Sequence, residues 1–81
     1  MSVTSGPGEL TSFALQRLTR AMGPAVGPQT ARETLASLGV AELTSAGHLL
    51  AFAERLIARG GAFEAVGRAL KISALLRGAK P

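Results

Sequence analysis

Few residues of this sequence could act as nucleophiles, as general acids or bases, or as metal ligands. Their spacing along the chain does not match any catalytic motif. The chain has one histidine, His48, no cysteine, and five acidic residues, all of them glutamates. A metal site usually needs three or four side-chain ligands, and a serine or threonine nucleophile needs a neighbouring base. We therefore expect neither an enzyme nor a metalloprotein, and we assign no catalytic residue, no metal ligand and no cofactor.

One short segment resembles a nucleic-acid motif. Ala25-Val26-Gly27-Pro28-Gln29-Thr30-Ala31, followed by Leu35, resembles the second half of a helix-hairpin-helix. The amides of that hairpin hold a DNA phosphate, so the resemblance implies DNA contact at residues 25–31. The sequence departs from the motif at Ala25, where the motif has its first glycine, and Pro24 occupies the approach to the hairpin. The alternative is that Gly27 is an N-cap and Pro28 the first residue of a helix.

The apolar residues recur at helical spacing along the chain. This periodicity predicts an all-α fold, a small bundle of four helices joined by short Gly/Pro turns. The predicted helices span about residues 10–22, 28–38, 43–59 and 62–77. Sustained alternation of apolar and polar residues, which is typical of strands, does not occur.

The turns between these helices are marked by glycine and proline. Gly23-Pro24 ends the first helix, and Gly60-Gly61 ends the third. Gly39 is expected to follow the end of the second helix, with Val40 folding back on Leu35 in a Schellman motif.

Serine and phenylalanine mark other parts of these helices. Ser45 is the predicted N-cap of the third helix, although an earlier start is also compatible with the sequence. Three phenylalanines lie one each on the first, third and fourth helices and are predicted anchors of a shared core: Phe13, Phe52 and Phe63.

Length sets the domain organisation. A chain of 81 residues has room for one domain. We expect a flexible tail over residues 1–8, a helical domain over 9–78 and a frayed end over 79–81. A domain of this size is marginally stable on its own. Without disulfides, oligomerisation or docking on a partner is the remaining source of added stability.

The fourth predicted helix is more apolar than a surface helix of a small bundle usually is. Its polar strip consists of Glu64, Arg68 and Lys71, which lie within about 60° of each other on the helical wheel. Leu75 projects from the middle of that strip. Two interpretations are open. Either the other three helices surround this helix, or one side of it packs internally through three residues, Phe63, Val66 and Leu70, while Ile72, Leu75 and Leu76 meet another chain.

Charge and hydropathy limit the partners. The net charge is +4, which permits contact with nucleic acid without requiring it. The sequence contains neither a secretion signal nor an apolar run long enough to span a bilayer, and we predict a cytoplasmic protein. A helix lying on the membrane surface would need more basic residues than this polar strip carries.

These observations favour a non-enzymatic interaction or assembly module that self-associates or docks on a protein partner through Ile72, Leu75 and Leu76. The alternative is a DNA-binding accessory protein that uses the basic residues near the C-terminus: Arg68, Lys71, Arg77 and Lys80. A third class is an adaptor that is monomeric alone and heteromeric in its cell.

Overall fold

A computed structural model describes residues 7–80 of the chain and confirms the all-α fold. Four helices follow one another, with no strand among the described residues: α1 (Pro7–Met22), α2 (Val26–Leu38), α3 (Ala46–Arg59) and α4 (Gly61–Leu76). None of these helices combines the length and the hydropathy needed to cross a bilayer. Residues 1–6 and 81, which belong to the predicted tail and the predicted frayed end, lie outside the described part.

The bundle consists of two helical hairpins. α1 packs mainly on α2, and α3 packs mainly on α4, with smaller contacts between α1 and α4 and between α2 and α3. Both hairpins and the α2–α3 connection contribute to one apolar core: Ala14, Leu18, Ala31, Leu35, Leu43, Leu49, Phe52, Ala53, Leu56, Leu70 and Ala74. Burial of these side chains is the main favourable contribution to folding.

Each hairpin has a glycine that lies close to the backbone of the facing helix. A Cβ added to Gly27 of α2 would lie 2.5 Å from the Cα of Thr19 in α1. A Cβ added to Gly67 of α4 would lie 2.8 Å from the carbonyl oxygen of Ala53 and 2.9 Å from the amide nitrogen of Ile57, both in α3. Only glycine permits these backbone distances.

The predicted helix ends around the second turn are confirmed. The amide of Gly39 donates to the carbonyl of Ala36 (3.0 Å), and that of Val40 donates to Leu35 (3.1 Å), which is the Schellman pattern. Ser45 is the N-cap of α3, and its hydroxyl accepts a hydrogen bond from the amide of His48 (3.1 Å).

The structure corrects the starts of three helices. α2 begins at Val26 rather than at Pro28, because Gly27 is a buried helical residue against Thr19 and not an N-cap. α3 begins at Ala46, later than residue 43, because Ser45 is extended. α1 begins at Pro7, since proline is well tolerated in the first turn of a helix.

The chain before α3 is held by a bond from α1. The amide of Leu43 donates to the hydroxyl of Thr11 (2.8 Å), and the Leu43 side chain is fully buried. This bond therefore links the α2–α3 connection to the first hairpin.

All three phenylalanines contact the core as predicted, but they are not equally buried in it. Phe52 is 1% exposed, whereas Phe13 and Phe63 are half-buried at the edge of the core. Guanidinium groups cover their rings instead: Arg59 lies 4.6 Å from the Phe63 ring centroid, and Arg77 lies 5.1 Å from that of Phe13. Such cation–π contacts tie α3 to α4 and the end of α4 to α1.

Candidate functional site

The inner side of α4 packs into the core of the bundle. Gly67, Leu70 and Ala74 are buried, and Phe63 and Val66 pack against the core from its edge. This arrangement confirms the predicted internal use of Phe63, Val66 and Leu70. The other three helices do not surround α4, so the first of the two interpretations of this helix is wrong.

The outer side of α4 carries large apolar residues in solvent. Leu76 is 83% exposed, Ile72 is 60% exposed and Leu75 is 38% exposed. These are the residues predicted to meet another chain, and the structure leaves them accessible. Among the described residues, the one other large apolar side chain that is strongly exposed is Val26.

Small residues continue this apolar side toward the start of α4. Ala65 and Ala69 are exposed and lie within about 60° of Ile72 and Leu76 on the helical wheel. We call the four residues Ala65, Ala69, Ile72 and Leu76 the outer stripe. Its N-terminal half is flat, and its C-terminal half protrudes.

A groove beside the outer stripe runs between the exposed edges of α4 and α3. Ile57 of α3 forms its apolar lining together with Ile72 and Leu75, and its volume is about 470 Å³. Lys71 forms an ion pair with Glu54 at this groove (3.1 Å). The groove therefore extends the apolar surface of the outer stripe from α4 onto α3.

The charges on this flank of α4 balance. Arg68 donates from Nε to Glu64 one helical turn earlier (3.0 Å), and Lys71 pairs with Glu54. Two basic and two acidic side chains thus sum to zero beside the apolar surface. Exposed pairs of this kind contribute little stability, at most about 1 kcal/mol each, but they remove the local excess of positive charge.

The basic residues of the nucleic-acid alternative do not form one free patch. Arg68 and Lys71 are paired with glutamates, and the guanidinium of Arg77 lies over the Phe13 ring. Lys80 is exposed beyond the end of α4. A phosphate contact at any of the first three positions would compete with an intramolecular contact.

The segment that resembles a helix-hairpin-helix forms the start of a helix. Residues 26–31 are the first turns of α2. The amide of Gly27 donates to the carbonyl of Gly23 (2.9 Å), and the residue is buried against Thr19. This arrangement favours the helix-start interpretation of the segment over a phosphate-binding hairpin.

His48 takes part in the hydrogen bonds at the start of α3. The residue is half-buried, and its Nδ1 accepts a hydrogen bond from the amide of Thr44 (3.2 Å). Its own amide donates to the Ser45 hydroxyl. His48 therefore contributes to the cap of α3, in a role similar to that of the third helical residue of a capping box.

Within residues 7–80, no group of three or more histidine and acidic side chains could hold a metal ion. No protein-family model matches the chain, and no curated protein and no solved structure matches it. What distinguishes the site is its surface chemistry: large apolar side chains in solvent beside four charged groups that neutralise each other.

Three members of this surface were missed by the sequence-based prediction: Ile57, Ala65 and Ala69. A helical wheel carries the signal for the two alanines, since both fall on the same arc as Ile72. The sequence gives no indication that Ile57 of α3 lies at a groove beside α4.

Proposed function

We propose that this chain is a small non-enzymatic interaction module that docks on protein through the outer stripe of α4 and the adjoining groove. The observation that carries the proposal is the exposure of Ile72 and Leu76 on a helix whose opposite side already fills the core. Large apolar side chains that adjoin one another on the surface of a small protein commonly mark an interaction site.

The surroundings of these side chains fit a protein partner better than a nucleic acid. An interface with protein buries apolar groups at its centre and leaves charged groups at the rim. Ile57, Ile72 and Leu75 supply such a centre, and the two ion pairs of the flank supply such a rim. Binding to DNA instead requires several basic groups free to contact phosphates.

Site-specific photo-crosslinking tests the proposal. A benzophenone amino acid replaces Leu76 in the chain expressed in its own cells, and a control chain carries it at Ala36, an exposed position of α2. We expect a discrete adduct with a polypeptide, either this chain or another, from position 76 and not from position 36. Excess unlabelled wild-type protein should suppress the adduct, and the Ile72→Ser variant should suppress it much less.

Two outcomes of the crosslinking experiment would contradict the proposal. Equal labelling from both positions, or labelling of nucleic acid rather than protein from position 76, would contradict protein docking at α4. The nucleic-acid alternative also predicts binding that falls steeply with salt and that weakens when Arg68 and Lys71 are both replaced by alanine.

A further inference from the structure

We propose that the occupant of the outer stripe is a second copy of this chain, whose α4 packs antiparallel on the first; this inference rests on the proposed function. It starts from a size gradient along the exposed side of α4. Small residues occupy the N-terminal half, Gly61, Ala65 and Ala69, and large ones occupy the C-terminal half, Ile72 and Leu76, all of them exposed.

An antiparallel pair of these helices places the large half of each copy on the small half of the other. A helix rises about 1.5 Å per residue. A single register therefore places both large residues of each outer stripe against small residues of the other copy. When Ile72 lies between Ala65 and Ala69 of the second copy, Leu76 lies between Gly61 and Ala65 of that copy. Each large side chain then fills a space between small residues one turn apart, and the two-fold symmetry repeats every contact.

A parallel pair does not achieve this fit. It places Ile72 and Leu76 of one copy near Ile72 and Leu76 of the other, and it places the small residues of the two copies near one another at the opposite end. The helices would be held apart at one end, leaving the space beside Ala65 unfilled. Close packing at interfaces resembles that of protein interiors, so the gradient favours the antiparallel arrangement.

The charges beside the stripe are compatible with a second copy. Each flank carries Glu54, Glu64, Arg68 and Lys71, which sum to zero. Two copies with a net charge of +4 each therefore meet at a surface that is neutral. Association should accordingly depend only weakly on salt, in contrast to binding of a polyanion.

Sedimentation equilibrium of the purified full chain tests the contact. We expect the wild type to dimerise and Ala65→Leu to raise the dimer dissociation constant by about 30-fold, since the leucine occupies the space of the partner side chain twice per dimer. Combining Ala65→Leu with Ile72→Ala moves the large residue to the other side of each contact and should restore much of the affinity. The matched control is Ala36→Leu on α2, which should leave the constant unchanged.

Disulfide trapping tests the orientation, because the chain has no cysteine of its own. Ala65→Cys chains are mixed with Leu76→Cys chains of different mass. In the antiparallel register these positions differ by about 3 Å along the axis, whereas two copies of position 65 are about 13 Å apart and two copies of position 76 about 20 Å apart. A disulfide requires Cα atoms within about 7 Å, so the mixed pair should predominate.

The outcomes separate this inference from the proposed function. A wild type that stays monomeric, an Ala65→Leu variant that associates as tightly as the wild type, or predominant pairing between like cysteines would each overturn the antiparallel dimer. If the chain is monomeric but photo-crosslinks from position 76 to a different protein, the second copy is excluded and protein docking stands. If position 76 gives no protein adduct, both are excluded.

Discussion

The α1–α2 hairpin and the α3–α4 hairpin are built on the same plan and differ in what they present to solvent. Each brings its helices together over one glycine, Gly27 against Thr19 and Gly67 against Ile57. The outer residues of the first hairpin are mostly polar, including Ser12, Gln16, Arg32 and Glu33. Of the four strongly exposed large apolar residues in the described part of the chain, three lie instead on α4.

This difference separates the residues needed for folding from those available for binding. The first hairpin shows that a helix pair of this kind can be completed with a polar exterior. The inner side of α4 supplies Gly67, Leu70 and Ala74 to the bundle, and nothing in the packing requires that Ile72 and Leu76 be apolar. This contrast supports the proposal that the outer stripe contacts another molecule.

The largest expected effect concerns how unequally the two hairpins contribute aromatic residues to the core. Phe52 of α3 is fully buried, whereas Phe13 of α1 is half-buried beneath Arg77. We expect Phe52→Ala to lower the free energy of unfolding by about 3–5 kcal/mol, enough to unfold much of a domain of this size. Phe13→Ala should cost clearly less. Urea denaturation followed by circular dichroism measures both losses. Equal losses would show that Phe13 at the edge of the core contributes as much stability as Phe52 at its centre.

The second prediction tests whether both hairpins require a glycine where their helices are in contact. Gly27→Ala and Gly67→Ala each force a Cβ against backbone atoms of the facing helix. Overpacking of this kind costs about 1–3 kcal/mol, and both variants should lose stability by similar amounts. Gly47→Ala is the matched control, since Gly47 is helical and meets only the Ser45 hydroxyl at 3.7 Å.

The control should gain up to about 1 kcal/mol from the helix propensity of alanine. Thermal unfolding of the three variants at one protein concentration gives the comparison. If Gly27 or Gly67 tolerates alanine as Gly47 does, the close helix contact at that position does not require glycine, and the two hairpins differ in their packing.

A smaller effect is expected where the first hairpin holds the chain leading into the second. Thr11→Val removes the acceptor of the Leu43 amide, and loss of one partly buried hydrogen bond costs about 1–2 kcal/mol. Hydrogen exchange of the Leu43 amide should accelerate in this variant. Ser12→Ala, at an exposed neighbouring position, should change neither the stability nor the exchange rate.

The smallest effect concerns the ion pair between the hairpins. Arg59 of α3 lies 3.4 Å from Glu33 of α2, and both side chains are about half exposed (41% and 50%). Exposed pairs contribute less than about 1 kcal/mol, so Glu33→Gln should shift the unfolding midpoint only slightly. The small shift should vanish at high salt, and a loss as large as that of Gly67→Ala would contradict this account.

The sequence was sufficient to predict the four helices because helix signals are local. Gly39 and Ser45 act through hydrogen bonds to residues within one or two turns, and the apolar periodicity is read within each helix. Leu70 was assigned correctly to the interior for the same reason. The exposure of Ile72 also follows from its place on the wheel, opposite the residues that fill the core.

What the sequence could not predict depends on contacts between helices. Gly27 was interpreted as a cap because its close approach to Thr19 is not visible in the sequence. The partial exposure of Phe13 and Phe63 was not predicted, because an apolar ring gives no sign that an arginine covers it from outside. The groove at Ile57 arises only when α3 and α4 lie side by side.

The concentration dependence of unfolding tests the central claim most directly, namely that the outer stripe serves binding and not folding. Urea midpoints are measured by circular dichroism over a wide range of protein concentration for the wild type and for Ile72→Ser combined with Leu76→Ser. A protein stabilised by self-association unfolds at higher denaturant as its concentration rises. We predict a rising midpoint for the wild type, a constant one for the variant, and convergence of the two at the lowest concentration. A variant that is less stable than the wild type by the same amount at every concentration would show that Ile72 and Leu76 belong to the fold, and would contradict the account.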